Sequence, residues 1–581
     1  MNSQNISLTN LRHSCSHLLA AAVLEHYPQA KLTIGPSVEG GFYYDIDFLD
    51  NQISQADLSK IEQKMHELVK KWDSFERMEV TKVEALKKYK ENEYKQELIN
   101  EFSEEGKILT FYKVGSFVDL CKGGHVENPS KELKYFKLLS IAGAYWKGDE
   151  KNKMLTRIYG TAFETKEDLE KYLWQLEEAK KRDHRKLGKE MGLFVFSDLV
   201  GPGLPIYAPK GALIRRLLQK HVDHLQKEIG YQEVWTPQVT KADLFKTSGH
   251  YDKYKQDMFR IVSNYTKEEY FLKPMNCPNH CVLYGSQARS YRDLPLRFSD
   301  FANLYRDEKP GELLGLSRLR AFSQDDGHCF CREDQVDAEF LNVAKIVQEA
   351  VKPFGMKYWI RLSLWDPKHP EKYLGDKKIW ENAQSKLKNI LDKNKIEYKT
   401  VEGEAAIYGP KLDLIAVDSL GREWQISTIQ LDLIMAGRFG LTYTDQNGEE
   451  KTPLMIHRAI LGSPERLMGL LIEHYAGKFP LWLTPVQVKI VPIADRHTEY
   501  CQKIVKQLSE KGIRVEIDDR SESMQKKIKN AQGEKVYFMA IVGDREIEEN
   551  TLSIRDRAGK SSIMALSDLI DTVLDLISTK K

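Results

Sequence analysis

A multidomain chain of α+β and α/β architecture is predicted by three features of the sequence. The chain has 581 residues, against about 150 for an average domain. Its middle carries closely spaced apolar strands joined by short turns, the pattern of an antiparallel sheet flanked by helices. Its C-terminal stretch alternates strand, helix and strand, the pattern of a mostly parallel sheet.

Composition narrows the class. With 41% hydrophobic and 10% aromatic residues there is material for several packed cores, which excludes a disordered or fibrous protein. Lys and Arg number 87 against 85 Asp and Glu, so a nucleic-acid partner must be met by local basic patches and not by a bulk positive field. Seven irregularly placed cysteines do not form a disulfide framework. They point to a reducing cytoplasmic setting in which a Cys cluster reads first as metal-binding. No run of about 18 apolar residues occurs, so no membrane span is expected. Residues 1–12 lack both a signal-peptide h-region and a transit pattern.

Taken in order, residues 1–163 form a first α+β block. Leu11, Leu18, Leu19, Val23 and Leu24 recur at helical spacing over residues 10–27, a helix that also carries His13 and His17. A helix-rich charged segment, residues 55–107, leads to the loop FVDLCKGGHVENP and to the strands IAGAYW and MLTRIYGTAF. Residues 164–190 are a charged linker helix ending before the Gly/Pro-rich GPGLPIYAPKG. A second block, 191–481, opens with the helix 212–229, capped by Gly230, and a strand that Pro237 stops. Its further strands are LRFSDFANLYRD, LRAFSQDDGHCFC, KLDLIAVDS, REWQISTIQLDLI and LMIHRAILG. The third block, 482–581, reads βαβαβ from VKIVPI to VYFMAIVGD.

Three constellations carry chemistry. His13 and His17 project from one helix face a turn apart, and Cys121 and His125 share the loop CKGGH. HxxxH with CxxxH supplies four donors suited to zinc, while hydrogen-bonded helix histidines are the plain alternative. In the middle block Arg306 and Glu308 precede a Gly-rich loop and Arg318 and Arg320 follow it. Guanidinium forks at a strand–loop–strand unit can clamp a triphosphate, and Arg466 opens a helix whose positive end suits phosphate. Surface ion pairs are the alternative. No GxxxxGK[ST] loop is present, which excludes a P-loop enzyme. Cys277, His328 and His457 are metal candidates, each on or beside a strand of one sheet. His280, Cys281, Cys329 and Cys331 compete locally, and free cysteines are commonly core residues.

The order HSCSH, CKGGH, AYWKGD, RIYGTAF, GYQEVWTP, KPMNCPNH, RDEKPGELLGLSRLRAFSQDDGH, WQISTIQLDL and IHRAILGSPER resembles the threonyl-tRNA synthetases, a class II family, across essentially the whole chain. The resemblance implies an N-terminal editing domain, an antiparallel class II catalytic domain and a C-terminal anticodon-binding domain, in a form shortened by one small N-terminal domain. It implies a homodimer through the strand ending at Pro237, with tRNA(Thr), L-threonine and ATP as partners. By the same resemblance Arg306, Glu308, Arg318, Phe322, Gln425, Thr428 and Arg466 bind ATP with Mg²⁺, and Arg306 and Arg466 are catalytic. Gln324, Asp326, Tyr408, Lys411 and Gln430 line the threonine site. Cys277, His328 and His457 hold one zinc ion. His13, His17, Tyr44, Lys95, Asp119, Cys121 and His125 form a pocket hydrolysing seryl-tRNA(Thr). For that pocket donor counting suggests zinc, whereas the resemblance implies water positioned without metal, and the metal-free reading is adopted. Glu546 and Arg555 match positions that read anticodon bases. Two departures from the family pattern are Gly124, where proline is usual, and Ser521, where asparagine is common.

Two rival classes use only part of these residues. A paralogue acylating a non-tRNA acceptor has no need of the third block, and a zinc hydrolase or RNA-binding regulator none of the arginine set.

Overall fold

The computed structural model describes residues 3–580. The chain divides into two compact units, Met1–Glu177 and Glu178–Lys581.

In the first unit the helix Ser3–His26 buries Leu11, Leu18, Leu19 and Val23, the stripe expected from the spacing. It packs on an antiparallel sheet whose order runs Lys31–Leu32, Gly41–Asp47, Met154–Phe163, Tyr135–Tyr145. A second antiparallel sheet joins Glu76–Glu79, Thr110–Val114 and Phe117–Leu120. The helix Glu93–Glu104 stands beside it. Asn92 caps that helix by accepting from the Lys95 N–H at 3.1 Å, which satisfies one of its free donors.

The linker run is not one helix. It breaks into Lys166–Arg182 and His184–Glu190, because the Asp183 carboxylate accepts from the Arg185 N–H at 2.8 Å and starts a new helix.

The second unit is built on an eight-stranded sheet. Its order is Gln232–Glu233, Leu296–Tyr305, Ala321–Cys331, Leu454–Ala459, Glu423–Asp432, Lys411–Val417, Lys357–Leu364 and Lys399–Glu402. The central strands are antiparallel as expected, but the outermost pair at each edge is parallel. The strand expected to run to Pro237 is only Gln232–Glu233, so Trp235 lies beyond it and is 76% exposed. The helices Pro209–Glu228, Val336–Val351 and Pro464–His474 cover the sheet. They bury Ile214, Leu218, Phe340, Val347, Leu467 and Leu471 in one core.

The C-terminal sheet is less parallel than the sequence suggested. Val488–Pro492 pairs in parallel with Val515–Ile517 and Phe538–Val542. An antiparallel hairpin, Leu552–Asp556 with Ser561–Met564, then extends the edge. These two strands are short and weakly alternating, which is why periodicity does not reveal them.

Candidate active site

Two adjoining cavities open on the eight-stranded sheet. One, of about 530 Å³, is lined by Arg306, Glu308, Arg318, Phe322, Gln324, Gln425, Thr428 and Arg466. The other, of about 660 Å³, shares Arg306, Glu308, Arg318, Gln324 and Thr428 and adds Cys277, Asp326, His328, Tyr408, Lys411, Gln430 and His457. The residues assigned to ATP and to threonine therefore face one continuous set of walls. His250 and Tyr254 line the second cavity too, and the sequence reading passed over them. The signal was TSGHY: Gly249 sits at φ +83°, a conformation that favours glycine, and aims the next short helix at the site.

The arginines differ in their state. Arg306 is solvent-exposed at the cavity wall, its guanidinium 5.1 Å over the Phe322 ring, and desolvation by the surrounding protein lowers its pKa. Arg466 projects from the first turn of Pro464–His474, where Ser463 caps the helix at 3.3 Å. Neither guanidinium has an ion-pair partner among the described residues. Arg318 is instead neutralised by Glu308 at 2.8 Å and Glu312 at 2.7 Å, so any anion must compete with two carboxylates for it.

Asp325 sets the turn that presents Arg466. Its carboxylate accepts from the N–H groups of Ile460, Leu461 and Gly462 at 3.1, 2.6 and 3.1 Å. Burial still pushes Asp325 up to about 7, and Asp326 beside it up to about 6.

Cys277, His328 and His457 offer donor atoms lying within 4.8 Å of one another, all buried. His328 and His457 are cross-strand partners on adjacent strands, which explains why residues so far apart in sequence meet. Cys277 departs from the expectation of a strand position. It is the first residue of the helix Cys277–Gly285, with Pro278 in the first turn, where a missing N–H costs nothing.

The donor set fits zinc. His457 Nε2 is committed to the Asp432 carboxylate at 2.8 Å and His328 Nδ1 to His280 at 2.7 Å, leaving one nitrogen of each ring for a metal. Such outer hydrogen bonds orient metal-binding imidazoles. Around them Tyr408 stacks on His457 with centroids 4.4 Å apart and donates to Gln430 Oε1 at 2.7 Å. Lys411 and Gln425 both bond Asp413, each at 3.0 Å.

In the first unit a cavity of about 690 Å³ is lined by His13, His17, Tyr44, Lys95, Asp119 and Cys121. Asp119 is its buried centre, accepting from Lys95 and Tyr44 at 2.5 Å each and from Tyr89 at 3.1 Å. Burial is the largest influence and opposes that charge, but the Lys95 ammonium, His17 and the hydrogen bonds from Lys95 and Tyr44 together keep the pKa low. His125 does not line the cavity; it stands behind Cys121, its Nε2 at 3.3 Å from the sulfur. Burial lowers the histidines, His17 to about 3 and His125 to about 2, and raises the Cys121 thiol to about 11. All are uncharged near neutrality. Donors of His13, His17, Cys121 and His125 also converge within 4.8 Å, so the geometry keeps both readings of that cluster open.

In the C-terminal sheet Arg555 lies on Leu552–Asp556, its Nε buried and without a hydrogen-bond partner. Glu546 is occupied otherwise. Its carboxylate accepts from the Gly543 N–H at 2.9 Å and caps Asp544–Glu548.

A largely antiparallel sheet with arginines at one cavity and a helix-borne arginine beside them is the arrangement that the resemblance to the class II aminoacyl-tRNA synthetases implies. Residues 259–475 match the class II core domain of the synthetases for G, H, P, S and T. Residues 487–576 match an anticodon-binding domain, and 109–159 the second additional domain of threonyl- and alanyl-tRNA synthetases. The chain is 48% identical to the threonine–tRNA ligase of Rubrobacter xylanophilus over 98% of its own length and 89% of that protein's. It is 46% identical to that of Thermotoga neapolitana over 98% and 88%. It also resembles the solved RNA-binding domain of threonyl-tRNA synthetase from Cryptosporidium parvum, at 36% identity and a TM-score of 0.64, covering 68% of this chain and 98% of that one. The chain belongs to the threonine–tRNA ligase family.

Proposed function

We propose that this protein activates L-threonine with ATP, transfers it to the terminal adenosine of tRNA(Thr), and hydrolyses seryl-tRNA(Thr) in its N-terminal unit. The observation that carries the reading is the continuity of two cavities, one walled by arginines and one ending on Cys277, His328 and His457.

In the first step the threonine carboxylate attacks the α-phosphorus of ATP and pyrophosphate leaves. Arg306, Arg466 and Arg318, once released from Glu308 and Glu312, stabilise charge on the phosphates, which arrive with Mg²⁺. The 3′-terminal adenosine then attacks the activated carbonyl and AMP departs. Positioning supplies much of the rate in such a transfer.

Cys277, His328 and His457 would hold a zinc ion, which when bound would supply Lewis acidity toward the amino and hydroxyl groups of the substrate. Asp326, Tyr408 and Gln430 complete the polar wall. Valine lacks the hydroxyl, and a site built to engage one rejects such an analogue by roughly 10⁴. Serine lacks only a methyl, worth about 1–3 kcal/mol. Binding alone is too weak a filter for serine, and the first unit's cavity, with neutral imidazoles around the Lys95–Asp119 pair, is suited to place a hydrolytic water without metal.

Glu546 and Arg555 are assigned to anticodon bases, Arg555 with an unpartnered Nε and Glu546 needing to share its capping role. The protein is read as a cytoplasmic homodimer, supported by the exposed Trp235 beside the edge strand. No helix among the described residues is long and apolar enough to cross a membrane. Charging of tRNA(Thr) with labelled threonine tests the assignment; failure to charge it, with charging of another tRNA, contradicts it.

A further inference from the structure

The buried cluster of Asp183, His184 and Glu473 resembles a metal site, but both imidazole nitrogens of His184 are already taken. Nδ1 lies 2.6 Å from Glu473 Oε1, and Nε2 accepts from the Leu316 N–H at 2.9 Å. A backbone N–H can only donate, so Nε2 carries the lone pair and Nδ1 the proton. The tautomer is fixed by its neighbours, and no lone pair remains for a cation.

The two partners of that ring belong to the two halves of the ATP site. Leu316 lies in the loop between Leu296–Tyr305 and Ala321–Cys331, two residues before Arg318, and itself lines the arginine-walled cavity. Glu473 closes the helix Pro464–His474, whose first turn carries Arg466. The ring sits in a slot made by two glycines. A Cβ on Gly315 would fall 2.2 Å from His184 Nε2, and one on Gly469 would lie 3.3 Å from Leu316 and 3.5 Å from the His184 ring. Glu473 is held in turn, its second oxygen accepting from Arg422 at 2.6 Å, and Arg422 bonds Asp418 at 2.7 Å.

We infer that His184, which lies outside the catalytic sheet, is a positioning residue for ATP: its imidazole latches the triphosphate loop at Leu316 to the helix that presents Arg466. The loop contains Gly311 and Gly315; its arms are tied by the Leu314–Arg318 bridge, by Arg318 to Glu308 and Glu312 and by Arg320 to the Glu308 carbonyl, whereas Leu316 at its tip is held by His184. Without the latch it samples more conformations, and Arg318 meets the phosphates less often in the right place. The threonine pocket makes no use of this ring, so the effect falls on ATP.

The inference rests on the synthetase reading, and the test separates the two. His184→Asn keeps a donor toward Glu473 but offers nothing to Leu316, whereas His184→Gln reaches the Leu316 N–H and gives up Glu473. In ATP–pyrophosphate exchange, H184N should raise the KM for ATP about fivefold, the worth of one neutral hydrogen bond, with the KM for threonine within about twofold. H184Q, which cuts the latch at its Glu473 end, should raise the KM for ATP at least as far. An unchanged KM for ATP in either variant, or a parallel rise in both KM values, overturns the latch. If the variants do not fold, the ¹⁵N shifts of wild-type His184 decide: protonated Nδ1 with bare Nε2 is expected, and the opposite tautomer overturns it. Absence of threonine-dependent exchange in the wild-type protein would strike the synthetase reading instead, leaving the tautomer to judge the latch.

Discussion

His457 Nε2 and the Asp432 carboxylate lie 2.8 Å apart, both buried, on adjacent antiparallel strands. The same carboxylate, through its other oxygen, accepts from the N–H groups of Ile434 and Met435 at 2.7 and 2.9 Å. Asp432 is thereby fixed by the backbone, and it fixes the ring in turn. Asp432→Asn keeps an oxygen for those two amides but weakens the bond to His457. Zinc affinity should fall by about 10- to 100-fold, with threonine activation falling alongside and the melting temperature little changed. Competition against a chromophoric chelator reads the first effect directly.

Among the described residues no carboxylate is ion-paired with Arg306 or Arg466, so on the proposed reading neither has a partner to leave before it meets phosphate. Removing either guanidinium should lower ATP–pyrophosphate exchange by about 10²–10³, the usual size for one transition-state donor. Glu312→Gln should act differently. It frees Arg318 from one competitor and should lower the KM for ATP, at low salt most clearly. Steady-state kinetics of the three variants test the contrast.

The N-terminal unit should be acid-sensitive. His17 and His125 titrate at about 3 and about 2 in the fold, against about 6.5 in an unfolded chain. Between those limits the unfolded chain binds protons that the fold refuses, so stability falls as pH drops below about 6.5. Proteolysis within residues 1–163 should be slow at pH 7.5 and markedly faster at pH 5. Equal rates at both values would contradict the burial of these rings as neutral species.

Lys95 neutralises a carboxylate that is almost wholly buried. Lys95→Met should leave Asp119 charged and unpaired, destabilising the N-terminal unit by about 3–5 kcal/mol. Lys95→Met with Asp119→Asn should recover much of that stability while deacylation of seryl-tRNA(Thr) stays lost. Denaturation and deacylation measured on both variants separate folding from chemistry.

Much of this was legible in the sequence because the relevant signals are local. The arginine loop lies within residues 306–320, HxxxH fits one helical turn, and the strand bearing His457 lies in a strongly apolar run. What was not legible depends on meetings across the fold. Cys277 reaches the two histidines from the end of a helix, His250 enters the same cavity behind Gly249, and His184 finds Leu316 only once two glycines make room. The break at Asp183 was hidden because a capping aspartate looks like any other charge in a charged run. The two-residue strand at Gln232 owes its place to pairing with Phe298 and Ser299, which no periodicity reveals.

The central claim is that Cys277, His328 and His457 select threonine by its hydroxyl. ATP–pyrophosphate exchange with threonine, serine and valine, before and after complete removal of zinc, tests it most directly. Strong exchange with threonine, weaker exchange with serine and none with valine, all abolished without zinc and restored by it, is the result predicted. Threonine exchange that survives in the metal-free protein, or valine exchange comparable to that with serine, would contradict it.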